Sequence, residues 1–300
     1  MDNTVVWMLR NGAFSPVSTE KQGGTPSRFT LWGVVNVTPD SFFDGGRHPS
    51  FESAFSHSRR LAADGARVLD LGGASSRPGS QDVPADDEMR QVLPLVRALS
   101  EGRGRRIPPD TLLSVDTWRT DVASAVLEAG ADIINDISAC LWEPAMTDVL
   151  AQYRPGYVLM HCRPGMRPGT MQKDPHYGNV VDEVMAFLEA RMTALVKAGL
   201  PEENIMLDPG IGFGKTAEHN CALLSSMERL LSLGRPVLLG VSNKSLFGEL
   251  LGLDVTRRIE ATSVCTALLA ARGVTHHRVH DVASARRALT LAEHFTPWKD

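Results

Sequence analysis

The stretch TLLSVDTWRTDVASAVLEAGADIIND, residues 111–136, decides how the rest of the chain is read. It opens on a short apolar run ending in a carboxylate, Leu112–Asp116, and closes on a second, Asp132–Asn135, ending in an amide. Neither run alternates apolar with polar residues, which is how a parallel strand covered on both faces reads. Gly130 sits just before the second run, where the C-terminus of an intervening helix favours a left-handed residue.

The same order of helix, glycine, short loop and strand recurs outward in both directions. Leu31–Asn36 and Arg67–Gly72 precede the opening stretch, and Tyr157–His161, Asn204–Asp208, Pro236–Val241 and His277–His280 follow it. Gly65, Gly199, Gly234 and Gly273 fall before their strands as Gly130 does. Between the runs, Ala54–Leu61, Met89–Leu99 and Val181–Val196 return apolar residues at three- and four-residue steps, the mark of amphipathic helices. Eight buried parallel strands alternating with helices predict an α/β fold, a (β/α)8 TIM barrel, whose strand C-termini share one face. A polar residue closes nearly every run: Asn36, Asp70, Asp116, Asn135, His161, Asp208, Lys244 and His280. Those side chains are therefore expected around a single mouth.

Residues 1–29 stand outside the rhythm and read as a hairpin and leader, leaving 30–300 for the barrel. Val5–Leu9 and Ala13–Val17 flank Asn11-Gly12, a type I′ turn pair, and such a hairpin could plug the lower end of the barrel. The net charge of −4 gives no general attraction to nucleic acid or to an anionic membrane. No run approaches the roughly 20 apolar residues of a membrane span, and the start lacks the order of a signal peptide, so the chain is expected in the cytoplasm. Cys140, Cys162, Cys221 and Cys265 are scattered, without a disulfide or zinc pattern. Arg103, Arg105, Arg106, Pro108 and Pro109 read as a solvated loop with no nucleic-acid role.

Chemistry concentrates in a set of motifs after the strands. They are GVVNVTPDSFFDGG (33–46), LDLGGASSRPGS (69–80), SVDT (114–117), IIND (133–136), MHCRPGMRPGTMQ (160–172), LDPGIGFGK (207–215), GVSNKS (240–245) and RVHDV (278–282). The glycines permit close backbone approach, and Ser75, Ser76 and Arg77 offer donors to an anion. PGIGFGKT is not a phosphate-binding P-loop, because Pro209 takes the position of its first glycine. Taken together and in order, the motifs closely resemble those of the dihydropteroate synthases, of the pterin-binding barrel family.

That resemblance implies condensation of 6-hydroxymethyl-7,8-dihydropterin pyrophosphate with 4-aminobenzoate, releasing pyrophosphate and forming dihydropteroate for folate biosynthesis. It places the pterin on Asp116, Asn135, Asp208, Gly212, Phe213, Lys244 and Arg278, with Ile134 and Phe213 as apolar walls. Asp116, Lys244, Arg278 and His280 would carry catalysis. Asn36, Arg278 and His280 would hold the pyrophosphate, with Mg2+ as cofactor on Asn36 and on diphosphate oxygens. Phe43, Ser76, Arg77, Pro78 and Ser245 would hold 4-aminobenzoate, where sulfonamides compete. It further implies a homodimer through the late helices.

Three positions depart from the family pattern: Ala74 replaces a glutamate, Ser76 a threonine and Asn243 an arginine. Arg163 and Arg167 are the candidates to restore the lost positive charge. The departures keep open a pterin-binding homologue without synthase activity. A methyltetrahydrofolate:corrinoid methyltransferase shares the barrel and the pterin-edge residues but has no need of Arg77, His280 or the TPDSF loop.

Overall fold

The computed structural model describes residues 7–10, 12–14, 28–37, 51–73, 83–163, 165, 167 and 175–295. Two short strands, β1 (Trp7–Leu9) and β2 (Gly12–Phe14), form an antiparallel hairpin. Eight parallel strands follow: β3 (Thr30–Asn36), β4 (Val68–Gly72), β5 (Leu112–Asp116), β6 (Ile133–Asp136), β7 (Gly156–Met160), β8 (Ile205–Asp208), β9 (Leu238–Leu239) and β10 (His276–Val279). Each neighbours its successor, and β10 lies between β9 and β3. Leu207 N donates to Pro236 O at 2.9 Å, and Leu207 bridges Val237, so β8 meets the β9 strand and the ring closes.

Helices fill the outer layer: α1 (Phe51–Asp64), α2 (Ala85–Gly102), α3 (Thr120–Glu128), α4 (Met146–Tyr153), α5 (Val180–Ala198), α6 (Ala217–Ser225), α7 (Met227–Leu231), α8 (Ser245–Leu251), α9 (Arg258–Ala270) and α10 (Val282–Phe295). Strand residues alternate between this layer and the barrel interior. Leu69, Leu71, Leu113, Val115 and Ile134 pack outward against the helices in the main core. The residues between them in sequence point inward. The glycines expected to stop helices do so, as at Gly199, where α5 ends in the left-handed region at φ 112°.

At the lower end the interior is apolar. Trp7, Leu9 and Phe14 of the hairpin are buried against Trp32, Val68, Ile133, Val158, Met206 and Leu238, one layer drawn from successive strands. Trp7 donates to Asn204 O at 2.8 Å and stacks on Trp32 with ring centroids 5.8 Å apart. A Cβ at position 156 would lie 2.5 Å from Leu9 and 2.8 Å from Trp7, so glycine there lets the hairpin seat against β7. Gly12 pairs with Leu9 and is part of the second strand, not of the turn. Asn11 and the outer halves of both expected hairpin strands lie outside the described residues.

Most strand boundaries fall within a residue of those expected. The exception is β9, two residues long against an expectation of Pro236–Val241, because Gly240–Lys244 leaves the ladder to form the approach to α8. His161 and His280 lie one position beyond their strands.

Candidate active site

At the upper end the inward positions turn polar. Register places Gly72 beside Asp116 and Asp116 beside Asn135. The side chains of Asp70, Ser114, Asp116, Asn135, Asp208 and Arg278 therefore rise into one space. Arg278 is its organising cation. Its Nε donates to Asp70 Oδ2 at 2.6 Å and its terminal nitrogen to Asp116 Oδ2 at 3.1 Å. Asp70, wholly buried, also accepts from Ser114 Oγ at 2.6 Å and from Asn135 Nδ2 at 3.2 Å.

Burial pushes the Asp116 carboxyl up to about 7; the Arg278 cation opposes that shift, and the neighbouring Asp70, Glu88 and Asp136 add to it. Burial raises Asp208 too, against the backbone N–H of Gly210, which donates to its Oδ1 at 2.7 Å. Its other oxygen accepts no hydrogen bond from the described residues. Lys244, just beyond β9, holds its ammonium 4.1 Å from the centroid of the Phe213 ring. Burial and the Arg278 charge draw it down to about 8, while Asp208 and Asp116 work the other way. Gly212 makes room for it, since a Cβ there would lie 3.0 Å from Lys244 Cδ.

Asn36 ends β3 and His280 follows β10, the neighbouring strand. His280 is fixed by Ser242, whose Oγ lies 2.9 Å from Nδ1 and accepts the backbone N–H at 3.2 Å. Ser245, exposed, begins α8 beside Lys244. The structure thus brings Asn36, Asp116, Asn135, Asp208, Gly212, Phe213, Lys244, Ser245, Arg278 and His280 to one end of the barrel. Phe43, Ser76, Arg77 and Pro78, together with Ala74, lie outside the described residues.

One expectation is corrected. Ile134 does not wall the mouth: it alternates with Asn135, so an inward amide turns Ile134 outward into the helix-facing core. The apolar wall is instead Trp118, Ile137 and Met160, with Trp142 and Phe213 packed against them. Of the departures, Asn243 occupies the left-handed region at φ 58°, a conformation asparagine tolerates well. The guanidinium beside it belongs to Arg258, which donates to Asn243 O at 3.1 Å. Arg163 and Arg167 lie over the rings of Tyr177 and Trp142.

Two participants escaped the sequence reading. Asp70 stood in the strand-end rhythm but received no role, although its place one pleat below Gly72 marks it as inward-facing. Lys215 was set aside with the P-loop. It is 5 % exposed, and its Nζ donates to Gly210 O at 3.0 Å and Phe213 O at 3.1 Å and lies 3.0 Å from His161 Nδ1. Three acceptors around one ammonium staple the 209–214 loop to the end of β7. Burial and Lys215 push the His161 imidazole down to about 2, so it accepts, as a structural partner should. Lys215→Met is expected to destabilise the fold by about 3 kcal/mol, since buried acceptors lose their donor. The urea midpoint measures this, and an unchanged midpoint would remove the staple from the account.

An arginine held between carboxylates, a free carboxylate oxygen, an amide and an ammonium over an aromatic ring suit a flat, polar heterocycle that carries an anionic tail. The comparisons agree with that chemistry. The profile of the family described as "Pterin binding enzyme" matches residues 32–280. A dihydropteroate synthase of Streptococcus pyogenes is 40 % identical over 263 residues, 87 % of this chain and 93 % of the relative. The structure of the Yersinia pestis dihydropteroate synthase in a sulfonamide drug complex superposes with a TM-score of 0.85 at 34 % identity, covering 96 % of this chain and 98 % of that one. That of the Xanthomonas albilineans dihydropteroate synthase with 4-aminobenzoic acid superposes with a TM-score of 0.80 at 42 % identity, covering 89 % and 94 %.

Proposed function

The chain belongs to the pterin-binding enzyme family, and from that membership we infer that it is a dihydropteroate synthase, a transferase of folate biosynthesis. It joins 6-hydroxymethyl-7,8-dihydropterin pyrophosphate to 4-aminobenzoate. The exocyclic C–O bond to pyrophosphate breaks, an N–C bond to the arylamine forms, and the amine loses a proton. The observation that carries this reading is the convergence of Asp116, Asn135, Asp208 and Lys244 around Arg278 in a chain that matches synthases over most of its length.

The residue roles follow from what each group can still bind. Asp208, with one oxygen committed to Gly210, accepts N–H donors of the aminopyrimidinone edge through the other. Asn135 completes that edge, and Lys244 donates to the ring carbonyl from its seat over Phe213. Asp116 lies towards the departing diphosphate, where a carboxylate stabilises the positive charge that grows as the C–O bond opens. Asn36, Arg278 and His280 take the diphosphate, as anion sites near the last strands of such barrels do.

No group of three or more His, Cys, Asp or Glu side chains among the described residues is arranged to hold a metal ion by itself. Mg2+ is a hard cation that needs few protein ligands when substrate oxygens supply the rest, and the amide oxygen of Asn36 fits that donor set. Bound there, it neutralises diphosphate charge. Ser245 belongs to the 4-aminobenzoate site together with Phe43, Ser76, Arg77 and Pro78, and sulfonamides compete at that site.

A pyrophosphate-release assay with both substrates tests the activity. Product formation dependent on 4-aminobenzoate is expected, and pterin binding without product would favour the silent homologue. The pH profile tests the roles. Asp116 acts as the anion and Lys244 as the cation, so kcat/KM is expected to rise through about 7 and fall beyond about 8. Asp116→Asn should erase the acid limb; a limb that survives would belong to another group.

The late helices support a homodimer. Leu250 and Leu251 of α8, Val264 and Leu268 of α9, and Leu291 and Phe295 of α10 are all more than half exposed, apolar surface on the last three helices that a second copy would cover. Light scattering should report a dimer, converted to monomer by Leu268→Glu; a monomeric parent chain would refute the assignment. No helix among the described residues is long and apolar enough to cross a membrane, and the four cysteines are free, which fits a cytosolic enzyme.

A further inference from the structure

The lower rim of the barrel carries a second concentration of charge that the reaction does not use. Between the later turns of α1 and the loop joining α2 to β5 lies a cleft of about 570 Å3, lined by Arg59, Arg60, Arg105 and Arg106 over Ala63, Ile107 and Pro108. Helix α1 descends from the mouth towards the start of β4, and the loop feeds the start of β5. The cleft therefore opens at the end of the barrel opposite the catalytic residues.

The four guanidinium groups have no carboxylate within 4 Å among the described residues. Asp64, one turn beyond Arg60 on α1, is near enough to act on His57 but does not come within 4 Å of any of the four, while Asp110 lies 3.9 Å from Arg67 and Asp132 pairs with Arg103. By contrast Arg90, Arg119 and Arg229 all have acidic partners. Two of the four are also held in place. Arg59 Nε donates to Arg106 O at 3.3 Å, and the Arg106 guanidinium rests 5.5 Å from the centroid of the Phe55 ring. Arg60 reaches His57 Nδ1 at 2.7 Å, and burial together with Arg60 lowers the pKa of that imidazole against the opposing pull of Asp64.

A plainer origin exists for part of the cluster. Arg105 and Arg106 follow the C-terminus of α2, where the helix dipole favours cations. That does not account for Arg59 and Arg60, which come from a different helix and face the same space. In a chain of net charge −4, four like charges gathered with no carboxylate in contact repel each other and are relieved by an anion. Guanidinium forks match phosphate oxygens in pairs, and an open, shallow cleft admits a hydrated polyanion.

We propose that this cleft binds a small phosphoanhydride-bearing anion, a nucleotide or an inorganic oligophosphate, at a site separate from the catalytic mouth. The phosphates lie among the four arginines, and the Ala63, Ile107 and Pro108 floor is available to a base. An extended nucleic-acid strand fits less well, because the charge occupies one concavity of an otherwise acidic chain.

Calorimetric titration of the full chain with tripolyphosphate, and separately with ATP, at about 0.15 M salt tests this. Saturable binding of each is expected, weakened at least about tenfold in the double variant Arg60→Glu, Arg105→Glu, with the affinity of the parent chain falling as salt rises. Both substitutions are at exposed positions remote from the mouth, so pyrophosphate release should persist in the variant. Tighter binding of ATP than of tripolyphosphate would place the nucleoside on the floor, and equal binding would assign the site to phosphates alone; either supports the proposal. Absence of saturable binding, or binding that the double variant leaves unchanged, overturns it, the latter placing the anion in the catalytic mouth. Tighter binding of a single-stranded oligonucleotide than of ATP overturns the small-ligand assignment.

Discussion

Arg278→Met is expected to lower stability by about 3–5 kcal/mol and to abolish turnover, the largest effect of any single substitution in the site. The reason is not the worth of an ion pair as such. Removing the guanidinium leaves Asp70, wholly buried, without an ionic partner among the described residues, and deprives Asp116 of the cation hydrogen-bonded to it, which opposes the rise in its pKa. A buried carboxylate without a counter-charge must take up a proton or draw in water, and either disrupts the hydrogen bonds from Ser114 and Asn135. Urea unfolding measures the loss. The second variant, Asp70→Asn combined with Arg278→Met, removes the stranded charge and should recover much of the stability but none of the activity. If the two substitutions simply add, the charge pair does not organise the site.

The second large effect falls on binding. Asp208→Asn keeps the size of the side chain and leaves an oxygen for the Gly210 N–H, yet it sets an amide N–H against the N–H donors of a bound pterin. A buried pterin donor left facing a donor costs about 3 kcal/mol, so affinity for the pterin pyrophosphate should fall about 100-fold or more. Calorimetry against that substrate, with circular dichroism to confirm an intact fold, separates this from unfolding. The expected pattern is loss of pterin affinity with little change in the unfolding midpoint. Undiminished affinity would refute the placement of the pterin edge on Asp208.

These two residues show how unevenly the site could be read. Asp208, Asp116 and Asn135 stand at the ends of apolar runs, and a strand end is visible in one dimension. Asp70 was visible in the same way but looked like any strand aspartate. Its importance comes from Arg278, 208 residues away in sequence, a contact only the closed ring creates. Lys215 was illegible for a related reason: Pro209 excludes a phosphate loop, but nothing in the sequence shows that the partners of Lys215 are carbonyl oxygens and His161. Ile134 misled through the period of the strand. Asn135 and Ile134 are adjacent, and adjacent strand residues face opposite sides, so both could not line the mouth.

From the order of residues alone came the class of fold, the end of the barrel that bears the chemistry and most of the polar groups found there. Those follow from short-range rules: burial on both faces suppresses alternation, helix ends favour glycine, and parallel strands present their C-termini together. Which carboxylate holds the arginine, which lysine is a staple and which stays available, and which apolar side chains wall the mouth were settled only by closure of the barrel. Ring closure fixes distances between residues with no relation along the chain, and Coulomb and hydrogen-bond energies depend on those distances.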